Sequence, residues 1–336
     1  MLRVALAGDP MSEELTVEFY GLEEVDKAVA AIQGREEKTL LALPNVVGVG
    51  VGRKTVGGFR TNEPCLLVLV SRKLPAVELS PEDRIPTLVE RCKTDVIEVG
   101  SVTASDDAKQ PAAGSNSLSC RMRPAQGGLS VSRVSGVGGS IAAGVIDADV
   151  PSGEPKRYYL LGSNSVLAAL NQGQAGDPIL QPSAADGGHL PNDTLGRLAR
   201  WVPLNFDEQP NFVDAAIAEV NFADLDRSVF WIGHALERSA RVRIGQTLQK
   251  TGRSSCYSTG LVTAVNVTLA VGYAGRKARF CRQILTTPLA TAGDGGSLAL
   301  DSARRAVGLT LAASSNVTVV SPIGLVESLL KIRVGW

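Results

Sequence analysis

Aromatic side chains are scarce in this 336-residue chain: Phe, Tyr and Trp together make up 4% of it. Gly, Val, Ala and Ser are plentiful instead, which suits short strands and tight turns better than a helix bundle. Histidine occurs only at 189 and 234, so a histidine base has two candidates, His189 and His234. The five cysteines, Cys65, Cys92, Cys120, Cys256 and Cys281, are odd in number and widely spaced, with no Cys-x-x-Cys. A disulfide framework and a zinc site are therefore not expected, and buried free thiols are. Charge of one sign is also missing, since 34 Lys+Arg balance 34 Asp+Glu. Neither nucleic acid nor an anionic membrane is then an expected partner. No apolar run reaches the ~18 residues of a membrane span. Residues 1–10 are apolar too briefly for a secretory signal, so a soluble, cytoplasmic protein is expected. No phosphate-binding loop or dinucleotide fingerprint is present; the glycines at 48, 50 and 52 read as a strand pattern, and no cofactor or metal is expected.

What is present falls into two parts. Glu23 to Glu37 carries Val25, Ala28, Val29 and Ile32 at helical spacing, predicting an amphipathic helix that Gly34 could interrupt. Asn45 to Gly52 alternates small and β-branched residues, Gly57-Gly58 reads as a turn, and Cys65 to Val70 reads as a strand buried on both faces. Thr94 to Val99 predicts a third strand. The division expected is a helical N-terminal segment (1–38), a small α/β domain (39–102), a linker rich in Ser, Ala, Asp and Gln (103–122) and a β domain (123–336). In that last region short apolar runs recur between Gly, Pro, Asn and Asp, among them 141–146, 158–161, 215–220, 260–267, 278–284, 298–300 and 306–311. Such spacing predicts a barrel or sandwich, with 323–332 as a closing helix.

Several blocks then match one family in order. Gly293-Asp294-Gly295-Gly296-Ser297 resembles the Gly-Asp-Ser-Gly-Ser nucleophile loop of chymotrypsin-like serine proteases. Leu160 to Ala168 resembles the segment carrying their catalytic histidine, and Val213-Asp214-Ala215-Ala216 the strand carrying their aspartate. Ile179 to Pro182 with Asp186-Gly187-Gly188, and Lys250 to Ser255, resemble turns of the bacterial and plant subgroup that includes the NARROW LEAF proteins, as does the leading unit. The resemblance implies a mainly β fold: two six-stranded β-barrels of chymotrypsin-like type at right angles, the site between them, preceded by a small α/β domain. It also implies self-association as a homo-oligomer.

Two residues depart from the pattern. Ser165 stands where the resemblance implies the catalytic histidine, and Gly295 where it implies the nucleophilic serine; Asp214 keeps the third position. A hydroxyl is a poor nucleophile without a base, glycine offers none, and a neutral serine accepts protons weakly. The expectation is a catalytically inactive homologue, a pseudoprotease that binds a peptide or protein ligand or acts as a scaffold. Gly293, Asp294, Gly296 and Ser297 would form the retained loop, with amides still aimed at an oxyanion. Asp214 reads as a buried carboxylate accepting backbone hydrogen bonds, and Asp294 as an acid bonded within its own loop. The alternatives are a peptidase with Ser297 as relocated nucleophile, served by a histidine or by Lys250, and a structural assembly component with a filled cleft. Serine and glycine, rather than alanine, at the two positions favour natural change over engineering.

Overall fold

The computed structural model describes residues 22–104, 117–150, 157–239 and 241–335. Most of the expected linker, 105–116, lies outside them. Helix α1 (Glu24–Leu41) leads into β1 (Val46–Val56), β2 (Phe59–Val70), β3 (Leu88–Val89), β4 (Cys92–Glu98) and β5 (Thr103–Ala104). Next come β6 (Ala125–Gly127), β7 (Ser130–Arg133), β8 (Gly139–Ser140), β9 (Ala143–Asp147), β10 (Tyr158–Gly162), α2 (Asn164–Leu167), β11 (Pro178–Leu180), β12 (Thr194–Trp201) and β13 (Ala216–Val220). The chain continues through β14 (Leu225–Val229), β15 (Gly233–His234), β16 (Thr247–Gly252), β17 (Cys256–Tyr273), β18 (Arg276–Thr286), β19 (Leu298–Asp301), β20 (Ala306–Ala313) and β21 (Thr318–Pro322). It closes with α3 (Ile323–Leu330) and β22 (Ile332–Arg333).

The fold is mostly β and contains two barrel-like sheets. One runs β9-β10-β13-β12-β11-β7, with β8 beyond β7. It closes because residues 139–147 are one bent stretch: β8 pairs with β7, and β9 pairs with β10. At the bend the Ile141 amide donates to the Leu129 carbonyl and the Ala142 amide to the Leu161 carbonyl. Leu118, Val131, Ile141, Leu160, Ile179 and Leu198 fill its interior. The second barrel runs β16-β19-β20-β21-β18-β17 and is sealed by β17 pairing back to β16. Between the barrels lies an apolar seam in which Ala142, Leu161 and Val213 meet Leu298, Leu309 and Val326. Val326 comes from α3, the expected closing helix.

The 18 residues of β17 serve four neighbours: 256–261 pair with β16, 264–269 with β1, 262–273 with β18, and Gly272 with Thr103 of β5. The leading strands therefore extend the second barrel's sheet outward as β17-β1-β2-β4-β3. Cys65 to Val70 are at most 3% exposed, because α1 and Val49 cover one face while Leu269, Phe280 and Leu311 cover the other. The continuous apolar run is explained by burial on both faces. Gly57 and Gly58, both left-handed at φ 58° and 85°, make the two-residue hairpin turn.

Helix α1 differs from its sequence reading in two ways. Gly34 does not interrupt it, since the helix continues to Leu41. Val25 and Ala28 face outward, and the buried face carries Asp26 and Gln33 beside Val29, Ala30 and Leu40. The two polar residues are inward because each has a partner: Asp26 pairs with Arg53 at 2.5 Å, and the Gln33 amide donates to the Asn266 carbonyl at 2.8 Å. That carbonyl sits at a β17 irregularity where Asn266 takes φ 52°. Partnering outweighs the apolar count, as it must for buried polar groups.

Two glycines give opposite expectations. A Cβ on Gly48 would stand 2.7 Å from the Thr268 carbonyl oxygen, whereas one on Gly34 meets nothing within 4 Å. Gly48→Ala should force β1 from β17 and cost about 2 kcal/mol. Gly34→Ala should gain about 1 kcal/mol through helix propensity. Urea midpoints measure both.

Candidate functional site

Strand β10 ends at Gly162 opposite Ala216 of β13, so the residues that follow and precede these two meet across the sheet. The single turn α2 then places Ser165 against Asp214. The Ser165 amide donates to Asp214 Oδ1 at 3.0 Å, and the Tyr273 hydroxyl donates to Oδ2 at 3.1 Å. Asp214 is 2% exposed, and burial pushes its pKa up, opposed by the hydrogen bonds from Ser165 and Tyr273. The Ser165 hydroxyl donates to Ser163 Oγ at 3.2 Å.

The glycine loop approaches from the second barrel. Gly293 and Gly296 are left-handed, at φ 90° and 86°, and both are crowded: a Cβ on Gly296 would stand 2.9 Å from the Ser163 amide nitrogen. Gly295 is not among the left-handed residues, so its φ does not itself require glycine. The Ser140 amide donates to the Gly295 carbonyl at 2.9 Å, and the Ser140 hydroxyl donates to the Gly293 carbonyl at 3.3 Å and accepts from the Arg253 amide at 2.9 Å. Among the described residues no hydrogen bond satisfies the Gly293 or Gly295 amide. The loop is nonetheless buried throughout 293–297. Ser297 is fully buried, its hydroxyl 2.7 Å from Thr310 Oγ1.

Asp294 does more than bond within its loop. Lys250 Nζ lies 2.8 Å from Oδ2 with both side chains fully buried. The Ser255 hydroxyl donates to the same oxygen at 2.6 Å, and the Ser254 and Ser255 amides donate to Oδ1 at 2.9 and 3.1 Å. Burial, the largest influence, would raise Asp294, but the Lys250 charge and the hydrogen bonds of Lys250, Ser255 and Thr291 together outweigh it and hold the carboxyl below its ordinary range. Burial pulls Lys250 down, and Asp294 partly offsets this. Lys250 is thus committed to Asp294 and Ser255, not to Ser297.

A second ion pair ties the barrels together. Asp186, between β11 and β12, receives Arg253 Nε at 2.5 Å and Nη2 at 2.7 Å, plus hydroxyls from Ser130 and Ser183. Arg253 is only 6% exposed and presses on Gly293, where a Cβ would come within 2.7 Å of Nη1. The two histidines sit elsewhere. The His189 side chain is 69% exposed, with Nδ1 3.2 Å from Asp193, and His234 is exposed on β15. Among the described residues no three His, Cys, Asp or Glu cluster as a metal site would.

The structure thus brings Asp214 and Ser165 together, and packs Gly295 and Gly296 against Ser140 and Ser163. The sequence reading missed Tyr273 on Asp214, Lys250 on Asp294 and Arg253 on Asp186. The last two lay inside a quoted motif, and a lone lysine and arginine beside serines and a loop acid were the available signal.

No protein-family model matches the chain, and no protein of curated function matches it. Among solved structures it is similar to chymotrypsin-like serine proteases. Thermobifida fusca protease A shares 16% identity over 62% of this chain and 97% of that one, with a TM-score of 0.43. A Nocardiopsis protease shares 16% over 63% and 98%, at 0.44. A glutamic acid-specific serine protease shares 18% over 62% and 100%, at 0.44.

The carboxylates give two expectations. Lys250→Met leaves the buried Asp294 without its counter-ion, and should cost about 3–5 kcal/mol in urea unfolding, with much of it recovered in Lys250→Met/Asp294→Leu. Asp294 is depressed, so its contribution is present above about pH 4 and lost as pH falls below that. Asp214 is raised, so its contribution is largest below about pH 4 and lost as pH rises through its folded value. Urea midpoints against pH should lose the second trend in Asp214→Asn and keep the first.

Proposed function

We propose that this protein is a catalytically inactive relative of the trypsin-like serine proteases that acts by binding, as a scaffold, rather than by cleaving. The observation carrying this reading is the surroundings of Asp214: the Ser165 amide and the Tyr273 phenol donate to its two oxygens, and no imidazole reaches it among the described residues. An aspartate in a triad works by fixing the tautomer of a histidine, and Ser165 offers only a hydroxyl at the corresponding place. Gly295 supplies no nucleophile, and the only lysine in the loop's polar cluster is neutralised by Asp294. A partner would have surface to meet elsewhere, since Val56 and Phe59 at the tip of the β1–β2 hairpin are 61% and 81% exposed.

The peptidase alternative gains less support. Ser297 would have to act as nucleophile, yet its hydroxyl is buried and held on Thr310.

A fluorophosphonate probe should leave the natural chain unlabelled, and a broad peptide library should stay intact. Loss of triad function costs roughly 10⁶-fold in comparable enzymes. Ser165→His/Gly295→Ser should acquire labelling, because the Ser165 amide already meets Asp214 and the φ of Gly295 does not require glycine. Labelling of the natural chain that disappears in Ser297→Ala would overturn the proposal.

A further inference from the structure

One edge of β20 is shared by three segments. Strand β19 pairs with its first residues, from Ala306 to Leu309. The glycine loop takes the next position: the Gly296 amide donates to the Thr310 carbonyl at 3.0 Å, and the Thr310 amide to the Ser297 carbonyl at 2.9 Å. Beyond it, Ala312 and Ala313 pair antiparallel with Ala104 and Thr103 of β5. Strand β5 therefore runs along this edge toward the glycine loop.

The hold on β5 is shallow. On its other side it meets only the end of β17, where Gly272 pairs with Thr103 and the Gly272 amide donates to the Val102 carbonyl at 3.0 Å. Val102 and Ala104, 7% and 2% exposed, enter the apolar cluster of Leu204, Tyr273, Phe280 and Leu311, while Ser101 between Gly100 and Val102 is exposed. Tyr273 is the residue whose hydroxyl reaches Asp214. Upstream, the Ser314 hydroxyl donates to the Val99 carbonyl at 2.6 Å. The leading sheet does not need β5 to stay attached, because β1 pairs with β17 on its own. A short ladder with two small buried side chains belongs to the part of a fold that opens most readily.

Main-chain pairing along a sheet edge, with alternate side chains buried, is how a sheet takes a peptide. Here the chain itself displays the ligand. We propose that the β20 edge beside the glycine loop is a peptide-binding edge, that β5 is its intramolecular occupant, and that an extended peptide with small apolar residues two apart binds by displacing it. This deepens the binding reading above, and rests on it only in taking the peptide to be bound rather than cut. An occupant in place 90–99% of the time weakens a competitor about ten- to a hundredfold.

Fluorescence anisotropy of a labelled Gly-Ser-Val-Thr-Ala amide, the sequence of residues 100–104, tests this on the full chain. Val102→Asp/Ala104→Asp would have to bring carboxylates into the apolar cluster, so β5 should leave the edge. That variant should bind the peptide about tenfold or more tightly than the natural chain, and its Gly272 amide should lose protection from hydrogen exchange. Val102→Gly should show the same change at smaller amplitude, and serves if the charged variant does not fold. A peptide with Asp at both apolar positions should not bind. Thr103→Cys/Gly272→Cys, joining paired residues, should refuse the peptide when oxidised and accept it when reduced. Equal binding by the natural and opened chains overturns the proposal, as does no binding to an opened chain. Gly272 protection that persists in both opened variants does so too. An oligomer of the natural chain that disappears in the opened variants would make the occupant a second copy's β5, and also overturns it. Mass spectrometry of the recovered peptide reports cleavage separately: an intact, unbound peptide counts against this edge alone, and a cut one against the reading above.

Discussion

Asp294 is the acceptor on which the glycine loop converges. Its two oxygens take the Lys250 ammonium, the Ser255 hydroxyl and the amides of Ser254, Ser255 and Thr291. Each bond is strong because no water competes, and each would be costly to lose for the same reason. With Asp294 fixed, the carbonyls of Gly293 and Gly295 stand where Ser140 of the first barrel can bond them. The junction between the barrels is therefore set by polar geometry as well as by the apolar seam around Leu161 and Leu309.

The other buried aspartate shows how little the residue type decides. Asp214 and Asp294 are both hidden from solvent, yet one is raised and the other depressed. The difference is a cation: Lys250 stands beside Asp294, whereas Asp214 is met by neutral donors, among them the Ser165 amide and the Tyr273 hydroxyl. Burial without a counter-ion holds one carboxyl above its ordinary range, and an ammonium alongside the hydrogen bonds holds the other below it. The same chemistry that keeps the loop rigid is absent where a base would be wanted.

Much of this was legible from residue order. Alternation and glycine spacing gave the leading strands, because burial on both faces of β2 leaves an unbroken apolar run. The turn-punctuated runs gave the barrels, since most of the strands are short and separated by turn-forming residues. The inward face of α1 was not legible: Asp26 and Gln33 are buried by partners more than fifteen positions away, which periodicity cannot register. Local order placed Ser165 and Asp214 in their motifs but could not supply Tyr273, which arrives from the far end of β17. Pairings of charge across the barrels were invisible for the same reason, as Asp186 and Arg253 belong to different sheets.

The long strand shared by barrel and leading sheet has a consequence for how the polypeptide emerges from the ribosome. Gly48 finds its partner Leu269 roughly two hundred positions later. At ordinary elongation rates that is a wait of about ten to forty seconds. During it the β1–β2 hairpin carries one uncovered edge and two apolar faces that only α1 can shield, and such unfinished edges invite pairing with other nascent chains.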